Sequence, residues 1–170
     1  MLERDKFVKQ TTILTLGIIL FWTLWSSLVA LTDTINFFQA LRWLPTEWAF
    51  SSNNYALVAK SVNVYATPGS LLPLTLFFLI VIWTWVIAWL FWRALFAYQV
   101  DKVSYLQKCY VAFLACFSIE ALFILADEIF IQYDFEHGHM DRLGFKLITF
   151  LVFWMLARDN QHLANQNMTP

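Results

Sequence analysis

Two long stretches of this chain carry no charged residue, and they constrain the fold more than any other feature. The first extends from Gln10 to Thr32, and the second extends from Ser61 to Trp92. A helix needs about 20 predominantly apolar residues to cross the hydrocarbon core of a bilayer. Both stretches meet that length, so the sequence predicts transmembrane helices at about 11–31 and 72–92. The second is preceded by residues that favour a turn and the first turn of a helix, namely Pro68, Gly69, Ser70 and Pro73.

Two further apolar segments are interrupted by charged residues. The segment 109–133 is long enough for a third span, although it contains carboxylates. A fourth span is predicted at about 140–157, with Lys146 reaching into the membrane edge. The polar run Glu136–His139 includes Gly138 and is predicted to form the tight turn that joins these two spans as an antiparallel hairpin.

The composition supports one all-α membrane domain, a bundle of four transmembrane helices over residues 1–170. The chain is 60% hydrophobic and 14% charged, whereas soluble domains carry about 25% charged residues. Lys and Arg number 11 against 12 for Asp and Glu, so the basic surface that nucleic acid requires is missing. Membrane lipids are therefore the expected surroundings, and nucleic acid is not an expected partner.

The basic residues predict that both termini are cytoplasmic, because positively charged loops are retained on that side. The tails and the second connection, which would be cytoplasmic, contain Arg4, Lys6, Lys9, Arg93, Lys102, Lys108 and Arg158. The opposite side has fewer basic residues and more acids: Arg42, Lys60, Arg142, Lys146, Asp33, Glu47, Asp134, Glu136 and Asp141.

The connection 32–70 is too long for a simple turn and too apolar for a free loop. Its residues 35–44 precede Pro45 and predict a short helix lying in the membrane interface, with Asp33 as its N-cap. A second short helix is predicted after Asn53. We expect the whole connection to form a lid over the outer face of the bundle.

The strongest functional signal is the set of charged residues inside the predicted spans, which are Glu120, Asp127, Glu128 and Lys146. A carboxylate at the centre of a membrane helix costs about 2.5–3.5 kcal/mol. One interpretation is structural: Lys146 pairs with Glu128 or Asp127, and a neutral Glu120 bonds to a backbone carbonyl or a hydroxyl. The other is functional, a proton or cation path or the acid and base of a membrane site.

A weaker signal lies at the predicted turn, where the candidate metal ligands are Asp134, Glu136, His137 and His139. Glu136 and His139 have the E-x-x-H spacing that supplies two metal ligands in ferritin-like bundles. A second E-x-x-H on another helix is missing from the sequence. A solvated turn is therefore the preferred interpretation, since such metals need four or more ligands.

The layout resembles that of uncharacterised small four-helix integral membrane proteins of bacteria. The resemblance rests on Leu31-Thr32-Asp33 at the end of the first span followed by Asn36-Phe37, on Phe91-Trp92-Arg93 at the end of the second, and on a short fourth span after a polar turn. It implies a bacterial inner membrane location, and it implies no activity.

Three functions are compatible with these features. The first is a non-enzymatic membrane subunit or accessory protein, which docks on partner membrane helices or holds a lipid-like ligand such as a quinone. The second is a small redox or metal-binding membrane enzyme that uses the carboxylates and histidines of the third and fourth spans. The third is a proton or cation conductor, which would require a homo-oligomer because four helices enclose little water. The sequence does not identify a cofactor.

Overall fold

The computed structural model describes residues 2–65, 67, 70–99 and 101–165, and within them every regular element is an α-helix. The helices are α1 (Leu2–Ala40), α2 (Asn54–Val62), α3 (Leu72–Ala97), α4 (Lys102–Phe130) and α5 (Tyr133–Asn165). The predicted all-α class is confirmed. As predicted, a helix follows Asn53 and another begins at Leu72, with Pro73 in its first turn, where a missing N–H is tolerated.

Three helices in the described part of the chain are long enough and apolar enough to cross a membrane: Lys6–Ala40 within α1, Leu72–Ala97 and Val103–Phe130. These helices indicate an integral membrane protein. Helix α5 differs because its first ten residues are mostly polar and its apolar part runs only from Leu143 to Ala157. That part is about 22 Å long at 1.5 Å per residue, less than the roughly 30 Å of a hydrocarbon core.

Helix α1 is longer than the sequence suggested. Residues 35–40, predicted as part of a separate interfacial helix, continue α1 without a break, and Arg42 ends it with a positive φ of 60°. Asp33 is not an N-cap, because it lies inside α1 and is 1% exposed. Its carboxylate accepts a 2.7 Å hydrogen bond from Asn54 Nδ2. The chain therefore folds back along α1 after that helix ends.

The hairpin turn between α4 and α5 also lies elsewhere than predicted. It is formed by Ile131 and Gln132, and Glu136, Gly138 and His139 belong to α5. Ile131 adopts the left-handed conformation, with φ 57° and ψ 48°, and the N–H of Gln132 donates to the carbonyl of Asp127 at 2.8 Å. This is the hydrogen-bond pattern that ends many helices. The prediction failed because no glycine marks the turn.

The long helices contact one another in a circuit: α1 packs against α3 and α5, α3 against α4, and α4 against α5. Their core is aromatic, and Phe91 and Phe113 meet edge to face at 5.3 Å beside the buried rings of Trp22 and Phe153. Many other large apolar side chains are exposed on the outside of the bundle, among them Leu24, Leu79, Leu125, Ile129 and Ile148. An exterior of this kind suits lipid as solvent.

The left-handed Ile131 gives a test of the turn. A β-branched residue is strained in this conformation by about 1–2 kcal/mol, whereas asparagine tolerates it. We expect Ile131→Asn to raise the melting temperature in detergent. The matched control is Ile129→Asn, a similarly exposed position inside α4, which should lower stability slightly through helix propensity. A loss of stability in Ile131→Asn as large as in Ile129→Asn would contradict the turn described here.

Candidate functional site

Glu120 and Lys146 form a buried ion pair between α4 and α5. Lys146 Nζ donates to Glu120 Oε1 at 2.5 Å, and the side chains are 12% and 5% exposed for Lys146 and Glu120 respectively. The predicted pairing of Lys146 with Glu128 or Asp127 is therefore wrong, and Glu120 bonds to Lys146 instead of the predicted backbone carbonyl or hydroxyl. Glu128 is exposed on the outside of α4.

The position of the turn explains this pairing. With the turn at residues 131–132, Glu120 lies about 15 Å along α4 from the turn, and Lys146 lies about 20 Å along α5. Side chains lean toward the N-terminus of their own helix. In antiparallel helices Lys146 therefore leans toward the turn and Glu120 leans away from it, and this brings the two charges together.

A second acid–base pair lies closer to the turn, where His139 Nδ1 and Asp127 Oδ2 are 2.5 Å apart. Asp127 is seven residues from Glu120, and His139 is seven residues from Lys146. The two pairs thus use the same antiparallel register, about 10 Å apart along the helices. The ring of Phe123 packs against the imidazole with centroids 5.0 Å apart, between the two pairs.

The structure does not assemble the candidate metal ligands. Asp134 and His137 are exposed, Glu136 is half-buried, and all three lie in the first turns of α5, while His139 pairs with Asp127. Among the described residues no group of three or more His, Cys, Asp or Glu side chains could hold a metal ion.

A group of three hydrogen bonds joins α1 to the segment that follows it, and the sequence analysis did not predict them. Besides the bond from Asn54 to Asp33, the N–H of Tyr55 donates to Asn36 Oδ1 at 2.8 Å, and Ser51 Oγ donates to Gln39 Oε1 at 2.5 Å. The available signal was the spacing of Asp33, Asn36 and Gln39, three residues apart on one helical face.

Two of these contacts, Asp33 with Asn54 and Glu120 with Lys146, line a cavity of about 450 Å³. Its apolar lining comes mostly from α1, α3 and α4 and includes Trp25, Val29, Ile87 and Phe123, while α5 contributes Phe145. Its polar lining includes Asp33 and Asn54 and the ion pair of Glu120 with Lys146. The exposed residues Asp141 and Arg142 of α5 are also part of the lining. The cavity is therefore apolar over most of its surface and ionic at two places.

The hydrogen bonds of the buried carboxylate Glu120 are incomplete within the described residues. Glu120 Oε2 is buried without a hydrogen-bond partner, and Arg142 Nε is 3.9 Å from it, beyond hydrogen-bond distance. Asp33 is bonded to the neutral side chains of Ser52 and Asn54. Buried polar groups in native proteins usually have hydrogen-bond partners, so a buried acceptor without a donor, on a residue that lines a cavity, points to a missing donor.

No family model matches this chain, and no curated protein or solved structure is similar to it. The chemistry of the cavity is therefore argued from its own residues.

The ion pair predicts a strong coupling between two substitutions. Lys146→Met should destabilise the protein by about 3 kcal/mol, because it strands a buried carboxylate. Adding Glu120→Leu should restore most of that loss, since two apolar residues leave no unpaired charge. Thermal unfolding in detergent measures both effects, and Glu128→Leu, an exposed acid on the same helix, should change little. A double variant as unstable as the sum of the single variants would show that the pair is not coupled.

Proposed function

We propose that this chain is a non-enzymatic, four-span membrane protein that binds one lipid-like amphiphile in the cavity between α1 and α5. The observation that carries the proposal is the combination in one cavity of aromatic walls and a buried, incompletely bonded carboxylate. An accessory protein that only docks on partner helices has no need of such a cavity. The amphiphile could be a phospholipid or a quinone, since either has a polar end and an apolar chain.

The cavity is large enough to hold the polar head of such a molecule and the first carbons of its apolar chain. Ligand pockets measure about 300–1,000 Å³ and combine apolar walls with a few placed polar groups. Trp25 and Phe145, on opposite helices, line the cavity and are each about half exposed. A chain leaving between these two rings would pass directly into the surrounding lipid.

The proposal takes α5 as the fourth span and both termini as cytoplasmic. The polar first turns of α5 then lie at the outer face, and the apolar part of α5 begins after Arg142. Tilting and local thinning of the bilayer allow a short apolar segment to cross. Asp141 and Arg142 then lie at the outer boundary between headgroups and hydrocarbon, where charged side chains are well solvated. We place the protein in the bacterial inner membrane on the resemblance described above.

The alternatives have less support. A metal enzyme would need a ligand set that the described residues do not bring together. A proton or cation conductor would use the two acid–base pairs of α4 and α5. Both pairs lie in the single interface between these two helices, and a path across the membrane would need further polar groups. The cavity therefore favours binding.

Filling the cavity tests the proposed function. Val29 lines the cavity, and the adjacent Leu28 does not and is 50% exposed. Val29→Trp should occupy the space of the ligand, whereas Leu28→Trp places the same ring on the lipid-facing surface. We expect protein purified in mild detergent to retain a stoichiometric amphiphile in the wild type and in Leu28→Trp, and to lose it in Val29→Trp. Extraction and mass spectrometry measure it. Equal retention in all three proteins would refute binding in this cavity.

The topology is tested separately with reporter fusions. The distribution of Lys and Arg predicts that fusions at either terminus report a cytoplasmic location, and that a fusion near Asn53 reports the outer face. A cytoplasmic signal from Asn53 would contradict the orientation, and termini on opposite sides would contradict four spans.

A further inference from the structure

We infer that the amphiphile is an aminophospholipid, with a primary ammonium as well as a phosphate in its head, as in phosphatidylethanolamine. The inference rests on the proposed function and names the ligand of the same site. It follows from the order of charges along the cavity. The carboxylates of Asp33 and Glu120 line it in buried positions, with Lys146 bonded to Glu120, and the exposed guanidinium of Arg142 lines it together with the exposed Asp141.

The interior offers acceptors for a hydrogen-bond donor that carries positive charge. Asp33 on α1 and Glu120 on α4 are 1% and 4% exposed, and both line the cavity. Lys146 neutralises Glu120 through Oε1, while Oε2 has no hydrogen-bond partner and lies 3.9 Å from Arg142 Nε, and Asp33 is bonded to neutral groups. A primary ammonium offers three N–H donors and one positive charge. It can satisfy Glu120 Oε2 and balance the charge of Asp33.

The edge of the cavity offers a site for an anion. The side chain of Arg142 is 57% exposed, and its Nε donates to the carbonyl of Gly138 at 3.0 Å. The remaining guanidinium N–H groups can bind a phosphate, for which their planar arrangement is well suited. In the proposed topology Arg142 lies at the level of the lipid phosphates, immediately before the apolar part of α5 begins.

The connectivity of the lipid matches this arrangement. In phosphatidylethanolamine the ammonium is at the tip, the phosphate follows two carbons later, and the acyl chains lie beyond the phosphate. A head that enters tip first places the ammonium near Asp33 and Glu120 and the phosphate near Arg142. Its chains leave between Trp25 and Phe145. A choline head lacks N–H donors, and a glycerol head lacks the positive charge.

The test compares three lipids with identical acyl chains on the full-length protein in detergent. Native mass spectrometry with added phosphatidylethanolamine, phosphatidylcholine or phosphatidylglycerol measures relative binding. We expect the ethanolamine lipid to bind about tenfold more tightly than either of the others, the usual effect of one charge-assisted hydrogen bond. Arg142→Gln should weaken binding of all three lipids, because all three contain the phosphate.

Two substitutions of the carboxylates test the role of the ammonium. Asp33→Asn and Glu120→Gln should each reduce the preference for ethanolamine over choline and leave choline binding unchanged. Glu128→Gln, on the exposed face of α4, should preserve the preference. Two variants are used so that a folding defect in one still leaves the test intact.

The possible failures are distinguishable. If the three lipids bind equally and Val29→Trp abolishes all binding, the cavity holds an amphiphile and the aminophospholipid inference is wrong. The same conclusion follows if a short-chain ubiquinone analogue displaces the lipid while head chemistry has no effect. If Val29→Trp leaves binding of every lipid unchanged, the proposed function itself fails.

Discussion

The pairing of buried charges between α4 and α5 is the interaction on which the rest of the structure depends. A charge in an apolar environment must find a partner, because the loss of hydration is not otherwise offset. Two pairs separated by seven residues on both helices admit one register: a shift of α5 by a single turn would separate Lys146 from Glu120 and His139 from Asp127 together. Since apolar contacts between membrane helices are poorly specific, these two polar pairs determine the register of α5 against α4. They also determine that Arg142 and Asp141 lie beside the cavity.

One of the polar contacts of α1 lines the same cavity. Asp33 bonds to Asn54, Asn36 to the first turn of α2, and Gln39 to the connection between α1 and α2, so α2 is held against α1. Further along the helices α1 and α5 meet through the rings of Trp22 and Phe145, 6.1 Å apart. Residues of the ring contact, Trp22 and Phe145, and of the polar contacts, Asp33 and Asn54, all line the cavity. The cavity is thus bounded by two different kinds of contact.

The sequence was sufficient to predict features that depend on composition or on single residues, such as the helical class and the start of α3. It was not sufficient to predict which residues of neighbouring helices lie opposite each other. Uncharged length and Pro73 were sufficient to locate the start of α3 and the helical class, because burial in lipid imposes a strict requirement on long segments. The α4–α5 turn was misplaced because Ile131 adopts a conformation that its residue type disfavours, whereas Gly138 is helical. That displacement changed the partner of Lys146. Asp33 was mistaken for a cap, since its partner Asn54 is distant along the chain.

The incompletely bonded carboxylates bear on why these charges persist. If stability alone were selected, apolar residues of similar size could replace a buried ion pair with little loss and sometimes a gain. The pair here has a further defect, because Glu120 Oε2 is buried without a hydrogen-bond donor. Trp22, whose Nε1 also has no hydrogen-bond partner, lines the same cavity as Glu120. Two orphan polar atoms at one cavity are difficult to explain by packing, since each costs about 1–3 kcal/mol. They are explained if a ligand with polar atoms of its own completes the hydrogen bonds, so that the bound form is the stable one.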